Sequence, residues 1–184
     1  MKQNLQRIKV IILVLILAVA LFFVLPLQAA DRGEPEPGSL PLDETGQMQI
    51  SPGDRCPVCA MMVKKHKKFA SAIQLEDGTT YYFCGTGCMI RTWLHPEVFL
   101  AKEKSQLKKP VVRAYFTGEA LDARAAFWVA GSDIVGPMGP ALVPLKSEEN
   151  VDVFRRRHGG KSVFRLEELT DDRWLAITGK PAVP

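Results

Sequence analysis

Four cysteines in two closely spaced pairs constrain this chain more than any other feature of its sequence. The first pair is Cys56-Pro-Val-Cys59 and the second is Cys84-Gly-Thr-Gly-Cys88. Two such pairs can bring four thiolates to one point, so their spacing predicts a site for a soft metal ion. Three kinds of protein remain open on this evidence: a zinc scaffold, a copper carrier and a redox dithiol protein.

The cysteines also allow interpretations that need no metal. Two disulfides would suit an oxidising compartment, but a C-x-x-C disulfide closes a very small loop and gains little chain-entropy stabilisation. A dithiol oxidoreductase usually carries one cysteine pair on a thioredoxin-like βαβ pattern, which this sequence lacks. The residues therefore favour a metal site, while structural disulfides and redox chemistry stay as alternatives.

Methionines near the cysteines bear on the choice of metal. Four thiolates alone favour structural zinc, whereas Cu(I) prefers thiolate and thioether ligands together. Met61 forms a C-x-M pair with Cys59 that can chelate a soft ion. Because neighbouring residues on a strand face opposite ways, we expect at least one of Met61 and Met62 to fill the core rather than bind metal. Zinc and Cu(I) both remain possible from the residues alone.

A remote methionine and the three histidines complete the candidate ligands. Met138 lies between two Gly-Pro steps in Val135-Gly-Pro-Met-Gly-Pro140, which restricts its backbone and predicts a presented side chain. His66 is in a basic turn, His95 precedes a proline as a helix cap, and His158 belongs mainly to a helix stop. We expect Met138 to be a stronger candidate than any of these histidines.

The N-terminus carries the pattern of an export segment. Lys2, Arg7 and Lys9 precede an unbroken apolar run over residues 10–25. The run is intermediate between a signal peptide and a short membrane span. Its flanking positive charges place the N-terminus in the cytoplasm and the rest of the chain outside. Because the residues that follow make a poor cleavage site, we predict that residues 1–30 form a single transmembrane helix, with a folded domain on the periplasmic or extracellular side.

Composition divides the rest of the chain and limits its function. Residues 31–53 are rich in Pro and Gly and predict a flexible linker, which leaves residues 54–180 as the folded domain. The net charge of +4 is too small, and its basic residues too interspersed with acids, to indicate nucleic-acid binding. The sequence has no credible Ser/His/Asp set, P-loop or paired-carboxylate cleft, so we do not expect an enzyme.

Two consecutive segments of the folded domain follow the same order of strand, strand, helix and strand. This predicts an α+β fold of tandem ββαβ units, residues 54–116 and 117–180. The first unit is predicted from strands at 69–75, 79–83 and 111–116 and a helix at 85–94. The second is predicted from strands at 125–130, 141–145 and 162–166, a helix at 147–158 and a short terminal helix after 167. A C-x-x-C loop, a hairpin and a cysteine pair at a helix start also predict a treble-clef-like knuckle in the first unit.

The motifs together resemble the nitrous-oxide reductase accessory protein family, NosL. The similar stretches extend from about residue 54 to 169 and include Cys56-Pro-Val-Cys-Ala-Met61, Phe83-Cys-Gly-Thr86, His95-Pro-Glu97, Gly136-Pro-Met-Gly-Pro140 and Arg157-His-Gly-Gly160. The resemblance implies tandem ββαβ units and an exported, membrane-tethered Cu(I) chaperone that supplies nitrous-oxide reductase. It implies copper ligands at Cys59 and Met61, with Met138 as a remote ligand.

Two features depart from the family's pattern. The chain lacks the lipid-bearing cysteine, and its apolar N-terminus would replace the lipid as the anchor. Cys88 is an additional thiol that could complete a zinc site or strengthen a copper site. The predicted metal ligands are therefore Cys56, Cys59, Met61, Cys84, Cys88 and Met138, for Cu(I) or alternatively zinc. A zinc-containing interaction module and a thiol–disulfide redox protein are the rival functions.

Overall fold

Two larger antiparallel sheets, a small two-stranded hairpin and the helices packed on them make up residues 35–183, the part of the chain that this computed structural model describes. The strands are β1 (Ser71–Leu75), β2 (Thr80–Phe83), β3 (Leu107–Arg113), β4 (Ala120–Asp122), β5 (Phe127–Ser132), β6 (Val135–Gly136), β7 (Gly139–Pro140), β8 (Val143–Leu145) and β9 (Gly159–Phe164). The helices are α1 (Thr86–Leu94), α2 (Pro96–Phe99), α3 (Glu148–His158) and α4 (Asp171–Thr178). Short 3₁₀ turns cover Val63–His66, Lys104–Gln106 and Leu166–Glu168.

The first sheet is built around a tight hairpin. Strands β1 and β2 pair antiparallel with Ser71 opposite Phe83, and the Asp77-Gly78 turn joins them. Gly78 adopts a positive φ of 88°, which is why glycine suits this turn. After α1 the chain returns as β3 on the other side of β1, giving the order β2-β1-β3-β4. Every residue of β2 is buried, and the second cysteine pair that follows this strand is buried in the same core.

The second sheet repeats this connectivity. Strand β5 is central in the order β8-β5-β9, and α3 connects β8 to β9. Helix α3 begins where the sequence predicts, because the Ser147 hydroxyl accepts a hydrogen bond from the Asn150 N–H at 3.2 Å. Its buried residues, Val151 and Phe154, pack on the sheet. The predicted repeat of strand, strand, helix and strand is confirmed in both units.

The boundary predicted between the units is wrong by one strand. Strand β4 pairs with β3, with Val111 opposite Asp122, so it belongs to the first sheet. The chain reverses at Gly118, whose positive φ of 72° and N–H bond to the Ala114 carbonyl form the turn. A further small hairpin, β6–β7, is inserted between β5 and β8.

The predicted flexible linker is also wrong for the residues that the structure describes. The N–H of Gly38 donates to the Thr80 carbonyl at 2.8 Å, on the free edge of β2. The Tyr82 hydroxyl donates to the Leu40 carbonyl at 3.0 Å and accepts from the Gln49 N–H at 3.1 Å. A methyl group on Gly38 would lie only 2.3 Å from the Tyr82 ring. Hydrogen bonds to the edge strand β2 and to its Tyr82 side chain therefore hold the segment before the first sheet, which its Pro/Gly composition predicted to be a flexible linker.

The predicted transmembrane helix, residues 1–30, lies outside the described residues. Among residues 35–183, no helix is both long enough and apolar enough to cross a membrane.

One hydrophobic cluster joins the two sheets. Strand β5 turns Trp128 toward the core of the first unit and Val129 toward α3. Trp128 is fully buried, stacks on Phe164 with centroids 6.3 Å apart, and donates from Nε1 to the Ala123 carbonyl. Because neighbouring side chains along β5 face opposite ways, this strand contributes both to the core shared by the two sheets and to a smaller core under α3.

Candidate metal centre

The first cysteine pair lies on a tight, hydrogen-bonded loop. The Cys56 N–H donates to the Met61 carbonyl at 2.9 Å, and the Ala60 N–H donates to the Cys56 carbonyl at 2.8 Å. Ala60 adopts a positive φ of 58°, which is uncommon for a residue with a side chain. These bonds close the turn between the two cysteines and fix Cys59 at its tip.

A buried carboxylate that the cysteine motifs do not indicate holds the start of this loop. Asp54 is 5% exposed and accepts hydrogen bonds from the N–H and hydroxyl of Ser39, both at 3.1 Å, and from the Ser51 N–H at 2.6 Å. Its carbonyl accepts from the Val63 N–H on the far side of the loop. The Ser51-Pro-Gly-Asp54 turn was the available signal, since aspartate in turns commonly bonds to nearby backbone. Asp54 therefore joins the segment before the sheet to the cysteine loop.

The second cysteine pair spans the end of β2 and the first turn of α1. Cys84 directly follows β2, Gly85 is the N-cap of α1, and Cys88 lies in the first helical turn. The Thr86 hydroxyl donates to the Leu142 carbonyl at 2.7 Å, which fixes the helix start to the second unit. A helix N-terminus favours thiolates, because its amides and dipole stabilise negative charge.

The structure brings all four cysteines together. Their Sγ atoms lie within 4.8 Å of one another, and all four thiols are free. The Cys59–Cys84 sulfurs are 3.4 Å apart and the Cys84–Cys88 sulfurs 3.9 Å apart. Zinc–sulfur bonds of about 2.3 Å would place the sulfurs of a tetrahedral site roughly 3.8 Å apart. The cluster therefore has the size and the donor set of a soft-metal site, although the treble-clef description remains a prediction.

The cysteines differ in exposure and in their protonation. Cys56, Cys84 and Cys88 are at most 2% exposed, whereas Cys59 is half-buried. Contacts with the thiols of Cys56 and Cys88 lower the pKa of Cys84 to about 5. Contacts with the thiols of Cys56 and Cys84, together with burial, raise the pKa of Cys88. Contact with the Cys56 thiol, together with burial, also raises the pKa of Cys59. The cluster thus combines a thiolate at the helix start with thiols that must lose a proton before they bind metal.

The predicted methionine ligands differ in how far they are exposed. Met61 and Met62 are both half-buried, and Met61 packs against the core. Met138 is 56% exposed at the tip of the β6–β7 hairpin. The preceding Pro137 lies against Gly85, where a methyl group would be 3.4 Å from the proline Cδ. The hairpin therefore contacts Gly85, between Cys84 and Cys88, through Pro137, and the role of Met138 as a ligand stays a prediction.

Two of the three histidines have carboxylate partners away from the cysteines. His95 lies 2.7 Å from an Asp171 carboxylate oxygen and 3.3 Å from one of Glu97. His158 lies 3.0 Å from Asp133. Within residues 35–183, the four cysteines are the only group of three or more His, Cys, Asp or Glu ligand atoms close enough to hold one ion.

Comparisons with known proteins agree with the motifs. The NosL family model matches residues 47–174. The copper-binding lipoprotein NosL of Stutzerimonas stutzeri is 29% identical over 119 residues, and the match spans 63% of this chain and 62% of that protein's length. The crystal structure of the copper chaperone NosL from Shewanella denitrificans matches with a TM-score of 0.58 at 21% identity, over 72% of this chain and 99% of that one, which shows a shared fold. Because the family model matches most of the chain, the protein belongs to the NosL family.

Proposed function

We propose that this protein binds Cu(I) at the cysteine cluster and passes it to a client copper protein. The observation that carries the proposal is the set of four free thiols whose sulfurs lie within 4.8 Å of one another. Thiolate and thioether ligands select Cu(I), and Met61, two residues after Cys59, packs against the core that includes the buried cysteines. The names of the two relatives, a copper-binding lipoprotein and a copper chaperone, support the same metal.

Cys59 is the residue through which copper would enter and leave. It is the half-buried thiol of the cluster, at the tip of its loop, whereas the other three cysteines are buried. Met61 follows it by two residues, and together they provide one thiolate and one thioether. A low number of soft ligands lets a metal move by ligand exchange, because an incoming ligand finds an open coordination position. Met138, on the exposed hairpin, is proposed as the third ligand.

A structural zinc site is the second candidate, favoured by one specific observation. Three of the four cysteines are buried, and the Cys59–Cys84 and Cys84–Cys88 sulfur separations of 3.4 and 3.9 Å are close to those of a closed tetrahedral site. In that case Cys56, Cys84 and Cys88 would stabilise the loop, and Met61 and Met138 would be dispensable. Metal analysis of the anaerobically purified protein separates the two candidates.

The location and the client belong to the same proposal. The apolar N-terminal run and its positive flank support an anchor in the cytoplasmic membrane, with the metal centre on the outer side. A lipoprotein relative is consistent with attachment to a membrane. Nitrous-oxide reductase is the proposed client, on the strength of family membership.

The test is a Cu(I) titration of the reduced full chain against a chromophoric competitor. Replacing Cys59 and Met61 together by alanine removes two proposed ligands, so affinity should fall by more than the roughly 10-fold that loss of an outer-sphere partner costs. Met62→Ala is the matched control, since Met62 is equally half-buried but lies outside the C-x-M pair. Equal affinity in the double variant and the wild type would overturn the proposal.

A further inference from the structure

A run of lysines directly follows the metal loop. Lys64, Lys65, Lys67 and Lys68, named here the basic patch, occupy four of five consecutive positions. All four are exposed, and the structure of residues 35–183 shows no ion pair to any of them. Val63 before the patch and Ala70 after it are fully buried, so the patch lies on a turn fixed at both ends.

The patch adjoins the exposed apolar hairpin through Phe69. The Lys68 ammonium lies 5.9 Å from the Phe69 ring, and a methyl group on Gly136 would lie 3.7 Å from the same ring. Gly136 precedes Pro137, which lies against Gly85 beside Cys84. Val135 and Met138 on this hairpin are 69% and 56% exposed. Positive charge, exposed apolar side chains and the cysteine cluster thus share one end of the first sheet.

A small cavity at this end is lined by two cationic side chains and no carboxylate. Lys68 and Arg113 line it together with Phe69, Thr86 and Tyr115. The Arg113 Nε–H is buried and has no acceptor in the structure. A buried donor without an acceptor costs free energy unless a partner or water satisfies it. The cavity, about 20 Å³ in volume, has room for a water molecule that would accept from this donor, while the two cations beside it add to the positive charge at this end of the sheet.

We propose that this end of the domain is a docking surface for a protein that presents carboxylates around its own metal-acceptor site. The inference rests on the proposed function, because the surface surrounds the cysteines from which copper would transfer. An anionic membrane has the same charge complementarity, but a membrane covering this end would block access to Cys59. A protein acceptor can contact the basic patch and leave the metal loop open to ligand exchange.

The probe is a pair of labelled synthetic peptides that differ only in their flanks. Both carry a Cys-x-x-Cys acceptor motif, flanked by glutamates in one peptide and by lysines in the other. Association with the metal-free full chain is followed by fluorescence anisotropy in a stopped-flow instrument. In these measurements serine replaces both cysteines of each peptide, which prevents disulfide exchange with the chain. The glutamate peptide should associate about tenfold or more faster at low salt, and this advantage should disappear at high salt.

Charge reversal identifies the surface responsible. Lys64→Glu with Lys67→Glu should abolish the advantage of the glutamate peptide. The matched control is Lys102→Glu with Lys108→Glu, which changes the net charge equally at the opposite end of the first sheet. Lys108 pairs there with Glu76, and hydrogen bonds from Thr79, with a smaller contribution from the charge of Lys102, lower the pKa of Asp77 in the β1–β2 turn. The control should retain the wild-type rate, and Arg113→Met should slow association of the glutamate peptide without altering the circular dichroism spectrum.

Two outcomes overturn the docking surface. The first is an equal association rate for both peptides. The second is an equal loss of the glutamate peptide's rate advantage in the patch and control variants. Vesicles containing phosphatidylglycerol form the second arm. Binding to these vesicles that is lost in the patch variant, with no preference for the glutamate peptide, would assign the patch to lipid. Cu(I) affinity measured on the same preparations tests the proposed function separately, since the peptide assay requires no metal.

Discussion

Met138 is the residue at which sequence and structure give the most specific test of the copper site. The Gly-Pro steps around it predicted a presented side chain, and it is 56% exposed on a hairpin whose Pro137 lies against Gly85. Met138→Leu keeps the apolar volume and removes the thioether. We expect Cu(I) affinity to fall by at least the roughly 10-fold that loss of an outer-sphere partner costs. Competitive titration measures it, with Met62→Leu as the control.

Retained affinity in Met138→Leu would exclude Met138 as a ligand and leave it as part of the docking surface. The same experiment with zinc is informative, because a four-thiolate zinc site would not respond to either methionine.

Protonation of the thiols predicts how copper affinity depends on pH. Contact with Cys56 and burial raise the pKa of Cys59, so this group carries a proton through neutral pH and must release it to bind metal. Affinity should therefore rise about tenfold per pH unit for each thiol that ligates in this state, between about pH 5 and pH 8. Below about pH 5, Cys84 also becomes protonated and the dependence should steepen.

The slope of the logarithm of copper affinity against pH shows whether one or both of the thiols with a raised pKa bind the metal. One released proton indicates that Cys59 ligates without Cys88, whereas two indicate that both do, because the pKa of Cys88 is also raised. Competition titrations at several pH values give the slope, and Cys59→Ser should reduce it by one proton. An affinity independent of pH would contradict the protonation states described here.

The segment before the first sheet supports the cysteine loop, and the sequence does not predict this role. Asp54 accepts hydrogen bonds from Ser39 and Ser51 and so ties this segment to the cysteine loop. Asp54→Ala should lower the free energy of unfolding by about 1–3 kcal/mol, because buried donors lose their acceptor. It should also weaken Cu(I) binding, since the loop loses its support. Urea denaturation and metal titration measure the two effects.

Asp43→Ala is the control for this prediction. Its carboxylate bonds only within its own turn, to Thr45 and Gln47, as far as the described hydrogen bonds show. It should therefore leave copper affinity unchanged. Wild-type copper affinity in Asp54→Ala would show that the loop keeps its shape without the carboxylate.

Elements that depend on nearby residues were predictable, and contacts across long sequence distances were not. Helix α3 carries its own start signal at Ser147, and the β1–β2 turn carries Asp77-Gly78, so both appear where predicted. Tyr82 bonds to Leu40, 42 residues away, and no local pattern indicates that contact. The four cysteines were predictable as a cluster because each pair lies on an element with its own signal. Their unequal burial required the tertiary structure.

At the scale of the whole molecule, Trp128 couples the two units. Its side chain is fully buried in the cluster that contains the core of the first sheet, while its neighbour Val129 packs under α3. Because one strand contributes to both cores, we expect the two units to unfold in a single cooperative transition. Tryptophan fluorescence and far-ultraviolet circular dichroism should therefore give coincident urea denaturation curves.

Trp128→Ala tests this coupling directly. Removing a buried tryptophan should cost about 3–5 kcal/mol, through lost burial and the cavity left behind. Trp93→Ala is the matched control, because Trp93 is only half-buried and its loss should cost less. If the units are coupled as the shared core indicates, Trp128→Ala lowers the midpoint of both probes together and weakens Cu(I) binding as the cysteine pairs lose their common support. Two separate transitions, with the metal-binding unit unaffected, would show that each ββαβ unit folds independently and that the shared cluster is not needed to form the site.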